Sequence, residues 1–266
     1  MGSMSDIVTL SVDGHIAQVT LNRPGKHNAV NLEMFDALGD VAQQLAEKES
    51  LRAVVLHGAG ANFCAGIDID IFRQEQLVID ARSLAPVEPS PANRFQRAAY
   101  GWRELPVPVI CAITGVAYGA GLQIALGADL RFASADASLS IMEVKWGLIP
   151  DMAISTTMRG LLPVDRVKEL AWSGRVVGAD EALKLGLVTA LHDDPLAAAM
   201  QFANSICAKS PDAVQSMKRL FNSAWQMSEA EALKLEAELQ LGVLGEENQL
   251  EAVMANVEKR APEFKD

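Results

Sequence analysis

The sequence predicts an α/β protein, a largely parallel sheet with helices outside it, followed by a C-terminal helical subdomain. Three observations carry that expectation. Short β-branched runs alternate with stretches of helical period, the pattern of strand, crossover and strand. Two of the runs lead into turns rich in glycine. Beyond Asp193-Asp194-Pro195 the helical signals continue almost without interruption.

Along the chain, residues 7–12 and 15–21 form a hairpin around Asp13-Gly14, a tight-turn dipeptide. From Asn31 to about Glu47, the residues Met34, Phe35, Leu38, Val41, Ala42 and Leu45 recur at helical steps, and Asn31 is a good N-cap. Residues 52–57 follow as a short buried strand, ending in a loop at Gly58 to Gly60. Residues 72–100 carry charges together with Pro86, Pro89 and Pro91, the composition of a mobile covering segment rather than core. A second cycle opens at Val107, with VPVICAI as strand, GVAYGAG as turn, LQIALGA as short helix and DLRFAS as returning strand. Right-handed crossovers are the default between such parallel neighbours. In the tail, SEAE from Ser228 to Glu231 is a capping box that opens a helix to about Leu244. The expected division is a core at 5–195 and a helical subdomain at 196–266, with no internal repeat.

A chain of 266 residues, 50% hydrophobic and 21% charged, can bury a sizeable core. Its net charge of −11 speaks against a nucleic-acid or anionic-membrane partner, since phosphate surfaces need clustered Lys and Arg. Any anionic ligand must be held locally. Cys64, Cys111 and Cys207 stand apart in apolar company and read as reduced core thiols of a cytoplasmic protein. His15, His27, His57 and His192 have no ligand spacing, so no metal is expected. Met1-Gly2-Ser3-Met4 reads as an expression-vector remnant rather than a signal peptide. Residues 105–128 lack charge and are long enough to span a bilayer, but two prolines and four glycines divide them into strand, turn and short helix.

Two motifs offer chemistry. Phe63-Cys64-Ala65-Gly66-Ile67-Asp68-Ile69 follows a strand, and its small residues let a ligand approach the backbone closely. Gly119-Ala120-Gly121 opens a short helix whose first N–H groups are free. No Gly-Lys-Ser/Thr follows and the dinucleotide fingerprint is incomplete, which disfavours nucleotide binding. The first motif alone also fits an ordinary strand-to-helix turn; together, two N–H-presenting turns can converge on one developing oxyanion.

LNRPGKHNAV, FCAGIDI, PVICAITGVAYGAGLQIALGADLRFAS and EVKWGLIPD, in this order, resemble the crotonase (enoyl-CoA hydratase/isomerase) family, as do SGRVVGADEALKLGLV and NVEKRAPEFKD further on. The resemblance implies a crotonase-like spiral of ββα units and an acyl-CoA thioester as substrate. It implies an oxyanion hole from the backbone N–H groups of Ile67 and Ala120, which would stabilise a thioester enolate. Hydratases of the family use two glutamates. The first position is here Gln123, whose amide can orient a water but not transfer a proton at neutral pH. The second is Glu143, and beyond it stands Asp151, a pairing that resembles the family's dienoyl-CoA isomerases. A double-bond shift is therefore the expected reaction, with hydration, or a non-catalytic acyl-CoA- or RNA-binding role, as alternatives. Glu143 could instead be a surface carboxylate, and Asp151 the N-cap of a helix starting at Met152 or Ala153. Coenzyme A, entering as part of the substrate and not as a separate cofactor, would be held along Gly25, Lys26, His27 and Ala29, along Ala65 to Ile69, and by Lys259. The two lysines fit solvated surface charges equally well. The family also implies a homotrimer or a dimer of trimers.

Overall fold

The computed structural model describes residues 6–73, 80 and 82–266. Met1 to Met4, and residues 74–79 and 81 of the proline-rich segment, lie outside the described residues. The chain opens with β1 (Val8–Asp13) and β2 (Ile16–Leu21), antiparallel with Asp13 opposite Ile16, as the Asp13-Gly14 turn predicts. α1 (Leu32–Ala46) follows, and Asn31 Oδ1 accepts from the Met34 N–H at 2.9 Å. Then come β3 (Ala53–Gly58), α2 (Arg97–Glu104), β4 (Val109–Ile113), β5 (Val116–Tyr118), α3 (Ala120–Leu126), β6 (Leu130–Ala133) and β7 (Ser138–Ser140). The remainder is α4 (Ile154–Thr157), α5 (Val164–Ser173), β8 (Val177–Gly178), α6 (Ala179–Leu185), β9 (Ala190–Leu191), α7 (Pro195–Cys207), α8 (Pro211–Ser223), α9 (Glu229–Leu241) and α10 (Glu247–Glu258).

Six strands form the main sheet in the order β1-β2-β3-β4-β6-β9, parallel beyond the hairpin, and β5-β7-β8 make a smaller sheet. Successive side chains of a strand point to opposite faces. Accordingly Val54 and Leu56 enter the larger core with Met34, Leu38 and Trp102, whereas Ala53 and Val55 face the other way, toward Ala199 and Ala203 of α7. Burial on both faces explains why β3 and β4 are unbroken apolar runs rather than alternating ones. Burying each large side chain contributes roughly 1.5–3 kcal/mol.

Two expectations need correction. GVAYGAG is not turn throughout, because Val116–Tyr118 form β5 and pair in parallel with β7. Three residues are too few for a periodic signal to show. Residues 72–100 are also not cover throughout. Ala92, Asn93, Ala98 and Ala99 are buried, Phe95 packs edge-on against Phe35 at 5.2 Å, and Arg94 grips Asp36 through two 2.6 Å hydrogen bonds. Docking on α1 outweighs the local breaker composition. The capping box at Ser228 and Glu231 is formed, and α9 ends at Leu241, short of the expected Leu244.

A buried cation ties the tail to the core. Lys218 Nζ on α8 donates to the carbonyls of Trp102 and Val107 at 3.1 and 2.9 Å and to Asp129 Oδ2 at 2.7 Å. Lys218→Met would take a donor from two carbonyls and from the partly buried Asp129 carboxylate, so urea unfolding is expected to show a loss of about 1–3 kcal/mol, the scale for hydrogen bonds to a charged group. An unchanged midpoint would show that the clamp contributes nothing net.

Candidate active site

The turn after β3 is fastened on both sides. Cys64 donates its N–H to Val116 O at 2.9 Å and accepts from the Tyr118 N–H at 3.0 Å, which lays it along β5. Val30 donates to Gly66 O and accepts from the Asp68 N–H, both at 2.8 Å. Ile67 lies between those two bonds, and its own N–H is passed over. Among the described residues no protein acceptor meets the N–H of Ile67 or of Ala120. The two turns touch: a Cβ added at Gly66 (φ 101°) would lie 2.9 Å from Tyr118 O and 4.0 Å from Ala120 N. One added at Gly121 would lie 2.5 Å from Cys64 O, so no other residue fits there without displacement.

Ala65, Ile67, Ile69, Ala120, Gln123, Glu143 and Asp151 line one cavity of about 300 Å³. Its other walls are chiefly apolar, including Phe35, Phe72, Phe95 and Trp146. Gln123, 1% exposed, is occupied at both ends of its amide. Its Nε2 donates to Glu143 Oε1 at 2.6 Å, and its Oε1 accepts from the Met152 N–H at 2.9 Å. Glu143 Oε2 is buried with no partner among the described residues. Burial pushes the Glu143 carboxyl above its ordinary range, the Gln123 hydrogen bond opposes this, and the charge of Asp151 adds to it. Burial also raises Asp151, although this residue stays exposed enough for solvent to screen part of the effect. Asp151 is not a helix cap. α4 begins only at Ile154, its N-cap is Ala153, and no side chain caps it. Two carboxyls whose proton affinities are both raised, on one apolar cavity, can exchange protons with a bound ligand. Among the described residues no cluster of His, Cys, Asp or Glu could hold a metal ion.

Of the remaining candidates, Lys26, His27 and Ala29 sit beside the Ile67 turn and do not line the cavity. Lys26 is exposed and pairs with Asp70 at 3.4 Å. His27 is exposed, its carbonyl accepts from the Ala65 N–H at 2.9 Å, and its Nδ1 lies 3.0 Å from Asn62 Nδ2. The Ala29 carbonyl accepts from Arg23 Nη1. Lys259 is exposed at the C-terminus of α10 and does not line the cavity. Sequence reasoning gave no role to the pairing of Arg23 with Asp68, a 3.0 Å ion pair that ties the segment at 23–30 to the Ile67 turn. Opposite charges in the two segments were the available signal. Met152 left none, because it acts through its backbone.

The family model described as enoyl-CoA hydratase/isomerase matches residues 11–266. The chain is 30% identical over 262 residues to the enoyl-CoA hydratase EchA19 of Mycobacterium tuberculosis, covering 94% of this chain and 93% of that protein. It is 33% identical over 264 residues to the mitochondrial Delta(3,5)-Delta(2,4)-dienoyl-CoA isomerase of Mus musculus, covering 96% and 80%. An enoyl-CoA hydratase structure from Bacillus anthracis matches with a TM-score of 0.87 at 28% identity, over 97% of this chain and 99% of that one.

The folded-state pKa of Glu143 lies above the unfolded one, so its ionised form opposes folding. That cost is absent below the unfolded value and complete once the pH has passed the folded one. Glu143→Gln keeps an oxygen for Gln123, and thermal melts are expected to show a higher Tm than wild type at about pH 8 but an equal one at about pH 4. A Tm difference that ignores pH would refute the placement of an ionisable, desolvated carboxyl here.

Proposed function

Because the chain belongs to the enoyl-CoA hydratase/isomerase family and has the crotonase fold, we propose that it shifts a double bond of an unsaturated acyl-CoA. The thioester oxygen lies between the N–H groups of Ile67 and Ala120, whose lack of protein acceptors supports that role. Preorganised donors stabilise the enolate that forms when a proton leaves the acyl chain, and each contributes about 3–4 kcal/mol in the transition state. One of Glu143 and Asp151 takes the proton, and the other, protonated, returns one further along the conjugated chain. The observation that carries this reading is the pair of carboxyls on one cavity, close enough for the charge of Asp151 to raise Glu143. The dienoyl-CoA isomerase named among the relatives accords with it.

Coenzyme A enters as part of the substrate, with Lys26, His27, Ala29, Ala65 and Ile69 along its path. Lys259, which does not line the cavity, serves a neighbouring subunit in the proposed homotrimer or dimer of trimers. Exposed Phe221, Trp225, Leu241, Leu244 and Val257 on the C-terminal segments supply apolar surface for such an assembly. The cytoplasm is the proposed compartment, in keeping with three free thiols. Hydration is the second reading, favoured by the relative named enoyl-CoA hydratase, and would use Glu143 alone.

A spectrophotometric panel separates the two: a dienoyl-CoA band that shifts marks isomerisation, and an enoyl-CoA band that disappears marks hydration. Glu143→Gln and Asp151→Asn are each expected to keep thioester binding while lowering isomerisation about 100-fold or more, the scale for losing a general acid or base. Full isomerisation by Asp151→Asn would remove Asp151 from the chemistry. Ala120→Pro deletes one N–H donor at the first position of α3, where proline is tolerated, and most activity should go with it. A folded, fully active Ala120→Pro protein would place the oxyanion elsewhere.

A further inference from the structure

We infer that Gln123 is a positioning residue that confines the mobile proton of Glu143 to one of its two oxygens and couples that carboxyl to the segment carrying Asp151. The catalytic consequence rests on the proposed role of Glu143 in proton transfer; the geometry is independent of it. A backbone N–H can only donate, so the Met152 N–H, 2.9 Å from Gln123 Oε1, requires the amide oxygen to face it. The NH2 group must then face Glu143, where it lies 2.6 Å from Oε1. Burial of Gln123 prevents solvent from offering the amide other partners. Glu143 Oε1 is thereby held as an acceptor, and the proton of the neutral acid sits on Oε2, for which nothing in the described protein competes.

The direction of this chain is set by the backbone: Met152 N–H to Gln123, Gln123 to Glu143. Because Met152 directly follows Asp151, and no side-chain cap fixes the start of α4, the same amide tethers the Asp151 segment to the Glu143 carboxyl. A carboxyl at 123 could not impose a direction. It would donate or accept toward Glu143 according to its own protonation, and its ionised form would repel the charges of Glu143 and Asp151. Among the described residues, the titratable group facing Glu143 is Asp151, whose charge raises Glu143, while the Gln123 donor favours the ionised form.

The test is a carbon-13 carboxyl NMR titration of the whole protein labelled at glutamate, with the Glu143 resonance identified by its loss in Glu143→Gln. In Gln123→Met, which keeps bulk but has no amide, the Glu143 midpoint is expected to move to higher pH than in wild type. The limb of the pH–rate profile that belongs to Glu143 should move with it. kcat should fall roughly tenfold or more, the scale of a lost hydrogen bond to a charged group, with KM nearly unchanged. A folded Gln123→Met protein with an unmoved Glu143 midpoint overturns the inference. Should that variant fail to fold, the near-isosteric Gln123→Glu is read instead: two coupled steps with Glu143 completing ionisation at higher pH than in wild type are expected, and one unshifted step overturns it. The titration needs no substrate. Absence of dienoyl-CoA turnover would therefore sink the isomerase reading and leave this one standing.

Discussion

Two turns can present N–H groups to a common space only if their backbones come into contact, and here glycine makes that contact possible. The carbonyl of Cys64 occupies the place a side chain at 121 would need, and the carbonyl of Tyr118 crowds the one at 66. Around this contact the chain is braced from behind. Cys64 Sγ lies 3.0 Å from the Asn28 carbonyl, and burial pushes its thiol up to about 12, so it remains a neutral packing group. Asn28, wholly buried, donates to the carbonyls of Ala59 and Asn62 at 2.9 and 2.8 Å, and Arg23 joins Ala29 to Asp68. The segment at 23–30, the Ile67 turn and the start of α3 thus form one interlocked body, so the unpartnered N–H groups stay where they are without a ligand to order them.

The treatment of buried charge differs between scaffold and cavity. Arg131 is buried but donates to the carbonyls of Leu187 and Ala128 at 2.8 and 2.7 Å, and Lys218 has three acceptors. Buried polar groups are normally satisfied in this way. Among the described residues Glu143 Oε2 is an exception, alongside Arg52 Nε and Ser134 Oγ, and of these three residues Glu143 alone lines the apolar cavity beside Ile67 and Ala120. An amide at 123, where the resemblance to the family's hydratases implies a glutamate, fits this arrangement physically. A third carboxyl in the same apolar wall would raise the proton affinities of all three, whereas a neutral amide supplies a donor and adds no charge.

The overall net charge of −11 has little bearing on this local balance. Fields from exposed carboxylates are screened over about 8 Å at physiological ionic strength, whereas Asp151, on the same cavity, is near enough for its charge to raise Glu143. The cavity therefore sets its own electrostatics from the groups that line it, whatever the charge of the outer surface.

The hairpin, α1 with its Asn31 cap, the strands around Val54 and Ile110, and the capping box of α9 were legible in the sequence because each depends on neighbours a few residues away. The glycine-rich turns and Glu143 were legible through their motifs. β5 and the docking of residues 92–104 on α1 were not, since their stability comes from partners distant in sequence. For Asp151 the sequence allowed a helix cap or a cavity carboxyl, and only the tertiary structure, by starting α4 at Ile154, removed the first. It also decided the orientation of Gln123: the sequence determines that an amide stands at 123, but which end faces Glu143 depends on the Met152 backbone N–H, 29 residues away, and a backbone group has no letter of its own.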